Sequence, residues 1–287
     1  MTELQPEVKY ADINNSRIEY LDYDGDGPVI IMLHATGFLP WLWHPIAKAI
    51  ARSSKIIAPY FCDHRQEEPE AGGVSWLHLA EDLCELCNAL EIEKPLLVGH
   101  SMGATVITLA SAIYGLSPEK IIMIEPIYLP EQIYSANLTV EQHPLASKSI
   151  KRRNGWSDRD EALAYIRPKP LFANWDSEAL ELYLEYGFVP GEAGGLTLTC
   201  SPRREAALFM GGLSYNPWPL LDRITSPTLV LEGEKSENRS YIDLEKAASL
   251  MQNGTYKLVK EAGHLIPMEK PGETANIIKE FFSLNLK

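Results

Sequence analysis

The stretch PLLVGHSMGATVITLA (Pro95–Ala110) decides how the rest of the chain is read. An apolar run ends on Gly99, then come His100, Ser101 and Met102, and Gly103 leads into a segment with helical apolar spacing. Glycine–x–serine–x–glycine alone is weak, since chance supplies about one match in ten chains of this length. Its setting gives it weight: the match falls where a buried-type strand becomes a helix, as presentation of a nucleophilic serine requires. So sharp a turn strains the residue at its apex, and only small neighbours avoid collision. The Ser101 hydroxyl is lifted to the carboxyl edge of a sheet, where open α/β folds bind ligands. It also stands beside the free N–H groups of a helix start, which favour developing negative charge. The plainer alternative is a serine that merely caps the helix.

Working outward, apolar runs and helical patterns alternate. VKYADI and SRIEYLDY read as two strands joined at Asn14 and Asn15. PVIIML, KIIAPY, PLLVG and KIIMIE are strands separated by helical stretches, the continuous apolar type expected of strands buried on both faces. Alternation of this kind gives a parallel sheet with right-handed crossovers, and the opening hairpin adds antiparallel strands at one edge. From about Pro130 to Pro217 the chain is helix-like and rich in Trp and Tyr, with no clear buried strand. PTLVLEG, a helix, TYKLVKE and a closing helix then resume the alternation. An insertion of that length between sheet elements reads as a lid or cap.

A serine needs a base to become a nucleophile. Of the seven histidines, His264 in VKEAGHLIPMEKPGE follows the last strand and precedes the last helix, at the same sheet edge as Ser101. His100 should point away from the serine, His34 reads as structural, and His44, His64, His78 and His143 read as packing or surface residues. The oxyanion of acyl transfer needs fixed donors. Met102 N–H at the helix start is one candidate, and Thr36 N–H in HATGF (His34–Phe38), after PVIIML, is the other.

HATGF, GHSMGA and AGHLIPMEKP, in that order behind the right strands, resemble the α/β-hydrolase superfamily in its lid-bearing esterase and lipase-like branch. The similarity runs over roughly residues 15 to 284. It implies an α/β-hydrolase fold: an eight-stranded, mostly parallel sheet flanked by helices, with a helical cap inserted after the sixth strand. The core would be residues 1–129 and 218–287, and the cap 130–217. Carried over, Ser101 is the nucleophile, His264 the base, and Thr36 and Met102 the oxyanion donors. Three positions depart from the family pattern. Ala35 stands where glycine is usual, and its methyl narrows the oxyanion pocket. YFCDHR (Tyr60–Arg65) keeps only His64 of the usual loop. Ser236 stands where the family most often carries its aspartate. A serine cannot stabilise imidazolium by charge, so the acid lies elsewhere: Glu237, the next residue, is preferred, and Glu125 at the end of IIMIEP is the alternative. One subgroup of haloalkane dehalogenases places a glutamate there.

The function that follows is a serine hydrolase cleaving an ester, thioester or lactone of a small, mostly apolar molecule through an acyl-enzyme on Ser101. No cofactor or metal is called for. Cleavage of a C–C bond in a ring-cleavage product, or ligand binding without turnover, are the alternatives. Dehalogenase and epoxide hydrolase chemistry is disfavoured, because it uses aspartate where this chain has Ser101. Trp156, Phe172, Trp175, Tyr183 and their neighbours fit an apolar pocket, although any one of them reads more simply as cap core.

Bulk properties bound the rest. The 287 residues are 45% hydrophobic and carry a net charge of -13, which argues against nucleic acid. The one dense basic run, SIKRRN (Ser149–Asn154), reads as a solvated helix face. Cys62, Cys84, Cys87 and Cys200 form no disulfide framework, and CELC lies within an amphipathic helix pattern as packed thiols. With no basic and apolar leader in MTELQPEVKY and no run of membrane-spanning length, a soluble cytoplasmic protein acting on a small molecule is expected, with no membrane partner.

Overall fold

The computed structural model describes residues 4–61, 64–192 and 194–284. Ten strands follow one another along it. β1 (Glu7–Ile13), β2 (Ser16–Tyr23), β3 (Val29–Leu33), β4 (Lys55–Pro59), β5 (Leu96–His100) and β6 (Lys120–Ile124) come first. β7 (Phe188–Pro190), β8 (Leu196–Leu198), β9 (Thr228–Gly233) and β10 (Gly254–Val259) complete the set. Eight of them form one sheet in the order β1-β2-β4-β3-β5-β6-β9-β10. β1 and β2 are antiparallel, β2 pairs antiparallel with β4, and every later pair is parallel. This is the expected eight-stranded, mostly parallel sheet, hairpin edge included.

Side chains along β3 show why its sequence is uninterrupted by polar residues. Successive residues of a strand face opposite sides, and both sides here are covered. Ile30 and Met32 join the core packed by α1 (His44–Ile50), through Ile46 and Ile50. Ile31 and Leu33 join the opposite core, packed by α2 (Trp76–Ala89) and α3 (Met102–Ile113). All four are fully buried, and each such side chain contributes roughly 1.5–3 kcal/mol. β1, at the sheet edge, instead leaves Val8 and Tyr10 exposed.

Between β6 and β9 the chain leaves the sheet. It forms α4 (Glu131–Tyr134), α5 (Ala146–Ser149), α6 (Arg159–Ile166), α7 (Ser177–Tyr186) and α8 (Pro202–Gly211). The sequence offers no clear buried strand here, and the two short strands that do form are half-exposed: β7 and β8 pair as an antiparallel ribbon, with Phe188 opposite Leu198. The sequence concealed it: each strand is three residues long and half-exposed, too short for a periodicity to register. α9 (Leu244–Leu250), α10 (Ile266–Glu269) and α11 (Pro271–Phe282) follow the return to the sheet. α11 covers the same face as α1.

Parallel strands end on the same side. Leu33 of β3 pairs with Gly99 of β5, His100 with Ile124 of β6, and Ile124 with Leu231 of β9. Gly233 of β9 pairs with Val259 of β10. The loops after β3, β5, β6, β9 and β10 therefore meet along one edge.

Candidate active site

Ser101 sits at the apex between β5 and α3 with φ +54° and ψ -115°. That lies outside the regions an L-residue occupies without strain, and its backbone N–H is tied down by the Ile124 carbonyl at 2.9 Å. The serine precedes α3, yet its side chain makes no capping bond, so the plain capping role fails. The flanking glycines are required by contact. A Cβ on Gly99 would stand 2.6 Å from the Ala104 backbone, and one on Gly103 2.5 Å from the Leu33 carbonyl oxygen.

His264 lies in the loop between β10 and α10, its carbonyl accepting a hydrogen bond from His100 Nε2 at 2.9 Å. The residue preceding the serine thus holds the backbone of the histidine, and the two rings are 5.2 Å apart. The His100 ring is buried at this contact. Burial pushes its ring well below the usual histidine range, so it stays neutral and donates from Nε2.

Nδ1 of His264 lies 2.9 Å from Glu125 Oε2. Glu125 has no solvent exposure. Its Oε1 accepts the Gly233 N–H at 2.6 Å and its Oε2 the Ser236 hydroxyl at 2.7 Å. Three donors converge on the carboxylate, as burial of a charge demands. A carboxylate only accepts, so the ring hydrogen sits on Nδ1 and Nε2 keeps its lone pair. The Asn238 amide nitrogen also lies 3.0 Å from Nδ1, and its Oδ1 accepts from the Tyr241 hydroxyl at 2.5 Å.

The preference for Glu237 as the partner of His264 is thereby corrected to Glu125. Glu237 is exposed on a single turn, Glu237–Ser240, and has no hydrogen bond to His264 among the described residues. Ser236, one residue earlier, occupies the inward position and is buried, and the next side chain turns to solvent. Glu125 carries a signal of its own, a φ of +51°. It and Ser101 are two of the five non-glycine residues with positive φ in the described chain. Such strain persists where surrounding structure enforces it, commonly at functional sites.

The third loop, after β3, is organised by His34. Its Nε2 accepts the Phe61 N–H at 3.0 Å, which leaves the hydrogen on Nδ1, 2.8 Å from the Ala35 carbonyl. The same carbonyl accepts from Phe38 N–H at 3.1 Å. A trans peptide points its C=O and N–H in opposite directions, so the Thr36 N–H faces away from His34. Neither Thr36 N–H nor Met102 N–H has a hydrogen-bond partner among the described residues. A cavity of about 10 Å³ lies beside this loop, bounded by Ala35, Phe38, Trp43, His100 and Met268 among others. A roomier one, about 360 Å³, opens at the opposite ends of β3 and β4 near Asp22, Lys55 and Lys94, away from these groups.

The remaining histidines have packing partners. His44 Nδ1 meets the Tyr23 hydroxyl, His64 pairs with the buried Asp82, and His143 Nδ1 accepts from the Leu145 and Ala146 N–H groups. His78 pairs with Glu67 at the surface. Both arginines of the basic run are also paired, Arg152 to Glu205 at 2.5 Å and Arg153 to Glu161. Burial pushes the Cys84 and Cys87 thiols up to about 12, the behaviour of packed thiols; Cys62 lies outside the described residues. No helix among the described residues is long and apolar enough to cross a membrane.

Comparison with known proteins agrees with this fold. A putative esterase/lipase of Haemophilus influenzae is 26% identical over 210 residues, 72% of this chain and 67% of that protein. The 2-(acetamidomethylene)succinate hydrolase of Mesorhizobium japonicum is 23% identical over 257 residues, 90% of this chain and 88% of that one. A crystal structure of E-2-(acetamidomethylene)succinate hydrolase superposes with a TM-score of 0.80 at 21% identity, covering 97% of this chain and 99% of the other. The model of the alpha/beta hydrolase family matches residues 30–277, and with the sheet order and the strained serine described above this chain belongs to that family.

Proposed function

We propose that the protein is a serine hydrolase that cleaves the ester, thioester or lactone bond of a small, mostly apolar molecule. The observation that carries this reading is the chain of contacts from Glu125 to His264, and from the His264 backbone to the residue before Ser101. His264 Nε2 takes the Ser101 proton as the hydroxyl attacks the acyl carbon. Glu125 holds the hydrogen on Nδ1 and offsets the charge the ring gains. Thr36 and Met102 N–H groups stabilise the oxyanion. The alcohol or thiol leaves with the proton from His264, and water activated by the same ring then releases the acid. Serine, imidazole and backbone amides supply nucleophile, base and donors, so the reaction needs neither cofactor nor metal.

Residues 130–217 are the cap in this reading. Phe172, Trp175 and Tyr183 pack on one another with ring centroids 4.9–5.7 Å apart, which makes them chiefly cap core. Phe38 connects them to the oxyanion loop, 5.6 Å from Trp175 and 6.2 Å from Tyr183. The descriptions of the relatives as an esterase/lipase and a hydrolase support hydrolysis as the reaction. p-Nitrophenyl esters and thioesters of graded acyl length test the reading. Turnover is expected for at least one, abolished by Ser101→Ala. No turnover of any, with Ser101 still labelled by a fluorophosphonate, moves the substrate to a different bond. Failure to label folded protein removes the catalytic reading.

A further inference from the structure

Among the described residues, Ser236 is the one in the β9 loop whose side chain hydrogen-bonds the buried carboxylate. It opens the turn Glu237–Ser240, where a serine commonly caps with its hydroxyl. Here it makes no such bond, and the hydroxyl is directed to Glu125 Oε2 at 2.7 Å instead. That oxygen is the one His264 Nδ1 contacts at 2.9 Å. The second carboxylate oxygen is held by the Gly233 N–H. With both oxygens pinned the carboxyl group cannot rotate about its last torsion, which is otherwise broad. The base it faces has an alternative partner in Asn238, 3.0 Å from the same nitrogen, and Asn238 is itself bonded to the Tyr241 hydroxyl at 2.5 Å. A carboxylate free to turn would leave Nδ1 to that amide, and an amide supplies no charge to offset imidazolium.

We propose that Ser236 is a positioning residue: its hydroxyl fixes Oε2 of Glu125 so that the carboxylate, and not Asn238, orients His264. The proposal rests on the serine-hydrolase reading above, and acts through Glu125 without touching substrate. A purely structural serine in this turn would slow nothing specific to Glu125.

The test is the second-order rate at which a fluorophosphonate labels Ser101, which needs no knowledge of the substrate. It is measured on wild type, Ser236→Ala, Ser236→Thr, Glu125→Gln and the Glu125→Gln/Ser236→Ala double variant, each checked for an intact melting transition. Ser236→Ala should label slower by about tenfold or more, the effect of losing one hydrogen bond to a charged group. Ser236→Thr, which keeps the hydroxyl, should recover most of the rate. In the Glu125→Gln background the Ser236→Ala change should have an effect of less than about threefold, because coupled residues are non-additive. Two results would overturn the proposal: wild-type labelling by Ser236→Ala, or an equal slowing in both backgrounds, whatever Ser236→Thr does. Wild-type protein that fails to label would instead defeat the hydrolase reading itself.

Discussion

Replacing Glu125 by glutamine removes a charge while keeping nearly the same shape, and the structure says what that does. Oε1 receives the Gly233 N–H at 2.6 Å, and Oε2 receives the Ser236 hydroxyl and the His264 ring at 2.7 and 2.9 Å. Glutamine has one oxygen. If the oxygen stays on Gly233, the new NH2 group faces Nδ1, and the ring must shift its hydrogen to Nε2, where the Ser101 proton has to go. If the amide turns over, NH2 meets the Gly233 N–H and a buried donor is left unpaired, at about 1–3 kcal/mol. Either arrangement keeps the fold but costs the base its tautomer or its support. The expected loss in kcat is about 10³- to 10⁴-fold, the scale seen when a triad acid is made neutral, or about 4–5.5 kcal/mol of barrier. Steady-state turnover of the best p-nitrophenyl ester, with circular dichroism confirming a folded variant, measures it. Glu237→Gln, on the exposed turn, should change the rate by less than about twofold, within the small effects of surface substitutions. Glu125→Gln at near wild-type rate, or a large loss in Glu237→Gln, would refute this reasoning.

Two further outcomes follow from the geometry. Gly103→Ala places a Cβ 2.5 Å from the Leu33 carbonyl oxygen and 2.6 Å from the Leu33 side chain, so α3 must move off β3. Urea unfolding should show a loss of about 1–3 kcal/mol, together with slower labelling of Ser101 because the apex moves with the helix. Burial lowers His34 from its usual 6.5 to about 4, and its Nε2 must stay deprotonated to accept from Phe61. Between those values the unfolded chain binds more protons than the folded one, so stability rises with pH there. The contribution, about 3 kcal/mol, is complete above pH 6.5 and lost as pH falls to about 4. Unfolding midpoints at pH 7.5, 6 and 5 should fall accordingly, and more shallowly in His34→Gln; parallel curves for the two proteins would contradict it.

Much of the architecture was legible because a strand buried on both faces leaves an unmistakable apolar run. VIIML, LLVGH and KIIMI could hardly be anything else, and their alternation with helices gives the sheet. Ser101 was legible because crowding at Leu33 and Ala104 forces glycines that the sequence displays. The β7–β8 ribbon was not, since a six-residue ribbon has no period. The carboxylate that meets His264 was hidden for a different reason. Glu125 and Glu237 both follow strands, and what separates them is which side chain points inward, a matter of backbone dihedrals after the strand ends. The pairing of Ser236 with Glu125 depends on a contact across 111 positions, which spacing along the chain does not encode. The lone charge closing IIMIEP was the available clue, because a carboxylate ending so apolar a strand is costly unless something receives it.

The measurement closest to the central claim is intact-protein mass spectrometry during the first turnovers of a p-nitrophenyl ester, followed by peptide mapping. An added mass equal to the acyl group, carried on Ser101 and absent from Ser101→Ala and His264→Ala, is the predicted result. Rapid release of p-nitrophenol by folded protein with no acyl group on Ser101, or with the group on another residue, would contradict it.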